Sequence, residues 1–213
     1  MHAFLITVDK ISAGIGKTFG WTIIILTLGA SYEVIAASNP VRSATAWVCD
    51  ALGGICAGSG PTVWAYDFSY IMYGTLLLMT GAYTLSRNGH VRGDFLYRKW
   101  RPRVQAGMDL TLYIVGFLPG IIALIYAGYG FAEQSWQFKE KSIFSPANIP
   151  VYTLKTVIPI AAALLLLQGI AEMIRCVICL RTGVWPQRLA DIEELETAIA
   201  HERQRASEIA AKQ

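Results

Sequence analysis

Few side chains in this sequence are spaced for chemistry, and each grouping stops short of a reactive site. His90 and Asp94 lie four residues apart and could form a base–carboxylate pair or half of a metal site. With no second His or Cys nearby, a structural hydrogen-bonding role is the favoured reading. Cys176 and Cys179 form a C-x-x-C, but it falls at the end of an apolar helix without a thioredoxin-like pattern around it. Both read as small, membrane-compatible residues. Cys49 and Cys56 sit in one loop. A local disulfide between them and a pair of free thiols remain alternatives, because spacing alone does not supply disulfide geometry. Only three histidines occur, His2, His90 and His201, all outside the apolar segments, so a bis-histidine haem bundle is unsupported. No phosphate-binding glycine loop, zinc motif, nucleophile elbow or pair of intramembrane carboxylates is present.

The elements carrying these residues are long and apolar. Four segments, Thr18–Ala37, Phe68–Leu85, Leu110–Ala132 and Thr156–Leu180, are each long enough to cross a hydrocarbon layer of about 30 Å as a helix. The 213 residues are 54% hydrophobic and 15% charged, which leaves little for a soluble domain. The fold class expected is an all-α integral membrane protein. Residues 1–185 form a four-helix transmembrane domain, and 186–213 form a helical tail. Fourteen of the Lys and Arg residues fall before span one, between spans two and three, or at and after the end of span four; four fall in the other two loops. The positive-inside rule therefore puts both termini and the middle loop in the cytoplasm. The basic middle loop reads as a topology determinant and lipid contact, not a nucleic-acid site. Span one reads as a retained signal anchor without a cleavage site.

Polar groups inside the spans seek partners. Glu33 lies near the outer end of span one, and Gln168 lies deep in span four, where its amide needs a partner in this bundle or on another subunit. Glu172 and Arg175, three apart, can pair on one helix face. Span three contains Pro119-Gly120, which predicts a kink. Gly116, Gly120, Ala123, Ala127 and Gly130 recur at helical steps and predict a packing face for another helix. In the first outer loop, Trp47, Val48, Leu52 and Ile55 suggest a short interfacial or re-entrant helix. The second carries Trp136, Lys139, Glu140 and Lys141, then Pro146 and Pro150, which favour an extended lead-in to span four. Pro159 is expected in that helix's first turns.

The most specific pattern is the loop after span two. His90-Val91-Arg92-Gly93-Asp94 resembles the "HVRxD" signature of the DctQ-like small membrane subunit of tripartite ATP-independent periplasmic (TRAP) transporters. Pro61-Thr62-Val63-Trp64, the Trp136–Lys155 loop leading to Pro159, and Gln168-Gly169 look like other parts of that family. The likeness covers roughly residues 18–180. Gly93 departs mildly, where a larger apolar residue is common.

The resemblance implies a bacterial or archaeal cytoplasmic-membrane subunit, not an enzyme, in a sodium-driven importer of organic acids. It implies a large multi-span permease carrying the sodium and substrate sites, and a periplasmic binding protein delivering the substrate. This chain would scaffold the permease, meet lipids, and help present the docking platform, with no cofactor of its own. His90, Val91, Arg92 and Asp94 would fix the cytoplasmic hairpin. The small face of span three, Gln168 and Glu33 would contact the permease or this bundle. Trp47, Trp136, Lys139, Glu140 and Lys141 would face the binding protein or make contacts within the outer loops. Competing readings are a stand-alone tetraspan structural protein, a self-sufficient small carrier, and a quinone-linked disulfide oxidase using Cys49 and Cys56. The oxidase needs a second outer cysteine pair, which is absent.

Overall fold

The computed structural model describes residues 2–38, 64–87, 99–144 and 148–189, with isolated positions at 97, 191, 192, 195, 197 and 199. The described residues form helices α1 (His2–Gly20), α2 (Thr22–Ala37), α3 (Ala65–Ser86) and α4 (Pro102–Leu112). A π-helical turn, Tyr113–Phe117, follows, then α5 (Leu118–Gln137) and α6 (Tyr152–Thr182). Among the described residues, extended pairing is confined to one antiparallel bridge, Lys141 with Pro150.

Three helical stretches are long and apolar enough to cross a membrane: Ala3–Ile35, Pro102–Gln137 and Tyr152–Thr182. The first begins well before the expected Thr18. Leu5, Val8, Ser12, Ala13 and Gly16 are buried at helical spacing, so the helix gains packing despite Asp9 and the lysines. At Trp21 the ladder tightens into i–3 bonds, from Trp21 to Thr18 and from Ile24 to Trp21. The expected second span is the 22-residue helix α3. It has the length, but Tyr66, Asp67, Ser69, Tyr70, Tyr73 and Thr75 dilute its apolar character, and it is not among those three stretches.

The kink expected at Pro119-Gly120 is resolved as the π-turn just before it. Leu118 N–H bonds the Tyr113 carbonyl five residues back. Pro119 has no N–H to give and its ring crowds the preceding turn, so the wider turn absorbs the mismatch. Helix α4 opens with Pro102 at its first position after an extended Arg101 (ψ 147°), where a missing donor costs nothing. Helix α6 starts at Tyr152, four residues earlier than expected, so Pro159 lies inside the helix and not in its opening turn. Gly183 ends α6 with a positive φ of 80° and an N–H bond of 2.7 Å to the Cys179 carbonyl, a left-handed glycine cap.

Contacts divide the chain into two compact units. The first comprises Met1–Gly16, Gly81–Ala123 and Ala163–Gln213. Its core joins Leu5 and Val8 of α1 to Ala171 of α6, with Leu167, Ile174 and Ile178 around them. A second cluster joins Ala106 to Cys176 and Cys179, bordered by Leu110, Tyr113 and Trp185. Gly169 lets the Phe117 ring seat against α6; a methyl group there would overlap the ring. The second unit comprises Lys17–Thr80 and Leu124–Ala162. There Gly128 brings α5 against Ile158 and Pro159, at 3.1 and 3.5 Å from the position a β-carbon would take.

Candidate functional site

The first unit buries a polar cluster. Arg175 on α6 is fully buried and donates to Asp9 on α1 at 2.6 Å and to Glu172, one turn back, at 2.5 Å. Arg188, past the end of α6, donates to the other Glu172 oxygen at 2.8 Å. The Leu189 N–H reaches Asp9 at 3.4 Å. Gln168 bridges the same carboxylate to a hydroxyl: its amide donates to Asp9 at 3.0 Å, and its oxygen accepts from Ser12 at 2.8 Å. Two acids and two guanidinium groups balance, so the cluster carries no net charge. Two donors, Arg175 Nε and Arg188 Nη1, are buried without a hydrogen-bond partner among the described residues, so acceptors are the limiting component. Such a group can lock two helices in register. Both its carboxylates are engaged by cations, and the Ser12 hydroxyl is engaged by Gln168.

Nearby, Tyr97 donates to Asp109 at 2.7 Å, and the Gln105 amide donates to the Tyr97 carbonyl at 2.9 Å. Cys179 donates weakly to the Pro102 carbonyl at 3.6 Å, and both Cys176 and Cys179 are buried and unoxidised.

The second unit contains a clamped hairpin between α5 and α6. Helix α5 ends in a Schellman motif: Glu140 N–H bonds the Ser135 carbonyl and Lys139 N–H bonds the Trp136 carbonyl. Lys139 occupies the left-handed position with φ 48°, where glycine is usual. Ser142 N–H to Ile149 and Val151 N–H to Glu140 close the hairpin. Side chains then fasten it. Glu140 pairs with Lys155 and accepts from Ser135. The Lys155 and Ser135 donors hold the Glu140 carboxyl below its ordinary range. Lys155 also lies 3.9 Å from the Phe131 ring centre. Ser142 donates to the fully buried Asp67 of α3 at 2.6 Å and accepts from Phe144 N–H at 3.2 Å. Trp136 donates to Thr156 at 2.8 Å.

The residues expected to be functional are distributed as follows. Gln168 meets partners within this chain, and the Glu172–Arg175 pair forms. Glu33 is half-buried on α2. Gly116, Gly120, Ala123 and Ala127 are exposed and Gly130 is half-exposed. A β-carbon at any of these three glycines would meet nothing within 4 Å, so the described residues leave that face uncovered. Trp136 and Glu140 are engaged inside the hairpin, whereas Lys139 and Lys141 project from it. Trp47, Cys49, Cys56, His90, Val91, Arg92 and Asp94 lie outside the described residues. Sequence reasoning missed Asp9, Ser12, Arg188 and Asp67. For Asp9 and Ser12 the signal was present: with Leu5, Val8 and Gly16 they repeat at helical steps along one face. Among the described residues, no three His, Cys, Asp or Glu side chains converge to hold a metal ion.

Among the described residues these features define a class: a helical membrane protein whose buried charges in the first unit pair with one another. The sequence family described as the DctQ component of tripartite ATP-independent periplasmic transporters matches residues 56–179, more than half of the chain, and the chain belongs to that family. It is a transporter-component family, not an enzyme family. No curated protein matches the chain.

Proposed function

We propose that this chain is the small permease subunit of a sodium-driven, binding-protein-dependent TRAP transporter that imports an organic acid. The observation that carries the reading is the family match over residues 56–179. In this reading α3 is the fourth span, both termini face the cytoplasm, and the Arg-rich segments hold that orientation by the positive-inside rule. The subunit scaffolds the large permease and widens the platform on which a periplasmic binding protein docks. Sodium and substrate are handled by the permease.

Two features support the scaffold role. The buried ions of the first unit pair with one another between α1, α6 and the segment after it, which ties these elements together. The small-residue face of α5 is uncovered among the described residues, and such faces let another helix backbone approach closely within a bilayer. The loop His90–Asp94 fixes the cytoplasmic hairpin, and the first outer loop around Trp47 contributes to the docking platform. Family membership leaves the tetraspan, carrier and oxidase alternatives without support.

The test is a mild-detergent pull-down from the native membrane with mass spectrometry. A stoichiometric multi-span permease is expected, and Gly116→Leu/Gly120→Leu should reduce its recovery at least tenfold while the variant stays folded. Recovery of the folded wild-type chain alone overturns the reading.

A further inference from the structure

The α5–α6 hairpin displays three large apolar side chains that the described residues do not cover. Phe138 is 81% exposed, Ile143 91% and Phe144 70%. Exposed apolar groups on a loose loop carry little meaning, but the described part of this loop is fastened at several points. The Schellman motif sets Phe138, the hairpin bonds frame Ser142, and buried Asp67 orients the Ser142 hydroxyl that accepts from Phe144 N–H. The display is built into the fold, and rigid exposed apolar groups mark a contact surface.

The clamps also fix the hairpin's depth. Its anchors are Asp67, Lys155 and Thr156. Asp67 lies one residue outside the apolar limit Phe68 read from the sequence, and Lys155 and Thr156 lie in the opening turns of the membrane-capable stretch that starts at Tyr152. The hairpin is thereby folded back to the level where the helices leave the hydrocarbon. Aromatic side chains surround that level: Trp136 packs at a tilt against Tyr152 with 4.3 Å between ring centres, and Tyr66 approaches Phe144 at 5.9 Å. Amphipathic rings concentrate at this depth of a bilayer. Between the apolar tips stand Lys139 and Lys141, both exposed, while the intervening Glu140 is neutralised by Lys155. The outward charge of the tip is therefore positive, which suits lipid phosphates.

We propose that this hairpin is a membrane foot. Phe138, Ile143 and Phe144 enter the boundary between headgroups and acyl chains, and Lys139 and Lys141 meet phosphates of anionic phospholipid. The occupant is lipid, not a soluble protein, because the anchoring residues hold the tip at headgroup depth. The inference needs α3 as well as the long helices to cross a membrane, and for α3 it rests on the proposed function.

A spin label tests it. Ile143→Cys is labelled in a chain whose four native cysteines are replaced, reconstituted in nanodiscs of neutral phosphatidylcholine, then with phosphatidylglycerol added. A label at Tyr126, 83% exposed in the middle of a membrane-capable stretch, reports correct insertion. With that control lipid-exposed, the label at 143 should collide more with oxygen than with a water-soluble nickel chelate. Its depth should increase with phosphatidylglycerol, and Lys139→Gln/Lys141→Gln should abolish that increase. Nickel-dominated collisions overturn the proposal. If they are then suppressed by a purified binding protein, the surface belongs to that partner. Protection from both reagents only when a co-purified permease is present overturns it in favour of a subunit contact. A depth independent of lipid charge removes the lysines' role and with it the proposed selectivity.

Discussion

The buried cluster of the first unit and the clamped hairpin of the second use the same chemistry, a carboxylate held by a cation and a neutral donor, in opposite surroundings. Arg175, Glu172 and Asp9 are nearly inaccessible, at 0%, 2% and 1% exposure, while Glu140 is 45% exposed. Water and salt attenuate the second pair but not the first. In the cluster each charge removed takes a pairing from a buried opposite charge, whereas the hairpin distributes its hold over backbone bonds, one ion pair and one buried acceptor. Helix register therefore depends on a few indispensable ions, and loop placement on many replaceable contacts.

The largest test of this contrast is Arg175→Ala. It leaves buried Asp9 without a cation and Glu172 with Arg188 alone, and a loss of about 3–5 kcal/mol is expected. The readout is the unfolding midpoint of the purified chain in detergent, with Arg175→Gln/Asp9→Asn recovering part of the loss through coupling. A loss below about 1 kcal/mol would erase the distinction between the two regions. Asp67→Ala comes next. It removes the acceptor behind Ser142, and about 1–3 kcal/mol of local stability should go. The change should appear as faster hydrogen exchange at Phe144 with the unfolding midpoint nearly unchanged.

Lys139→Gly should act in the opposite direction. It relieves a left-handed backbone at the helix cap, partly offset by greater freedom in the unfolded chain, for a net gain of about 1 kcal/mol or less. Lys139→Ala should show no such gain, which separates backbone relief from loss of charge. The smallest effect belongs to Glu140. Its folded carboxyl titrates below the ordinary range because Lys155 and Ser135 donate to it, so its contribution is present above that range. It is lost as pH falls through the lowered value. Exchange protection of the hairpin should weaken on acidification, and Glu140→Gln should flatten that dependence.

What could be read from the sequence follows from the range of the interactions. Glu172 and Arg175 share one helix turn, so their pairing was visible from a spacing of three. The need of Gln168 for a partner was visible from its depth, but the identity of that partner was not. Asp9 pairs with a residue 166 positions away, and no local rule connects them. The burial of Asp9 was nevertheless encoded in the repeat Leu5, Val8, Ser12 and Gly16, and two lysines nearby obscured it. Pro119 announced a distortion, but not that it would take the form of a π-turn. The three exposed apolar residues of the hairpin gave no periodic signal, because a turn, unlike a helix, has no repeat to reveal which side chains point outward.

The reach of Asp9 across the chain also has a consequence in time. Synthesis proceeds from the N-terminus at about 5–20 residues per second, so some ten to thirty seconds separate the emergence of Asp9 from that of Arg175. Throughout that interval the first helix must wait with an unmatched acid, held back at the membrane surface or shielded by the insertion machinery. Its final seat becomes available only when the last helix is made. A ribosome that stalls before Arg175 therefore releases a fragment carrying an unneutralised carboxylate on an otherwise apolar helix face, the kind of defect by which a membrane quality-control protease can recognise an unfinished product.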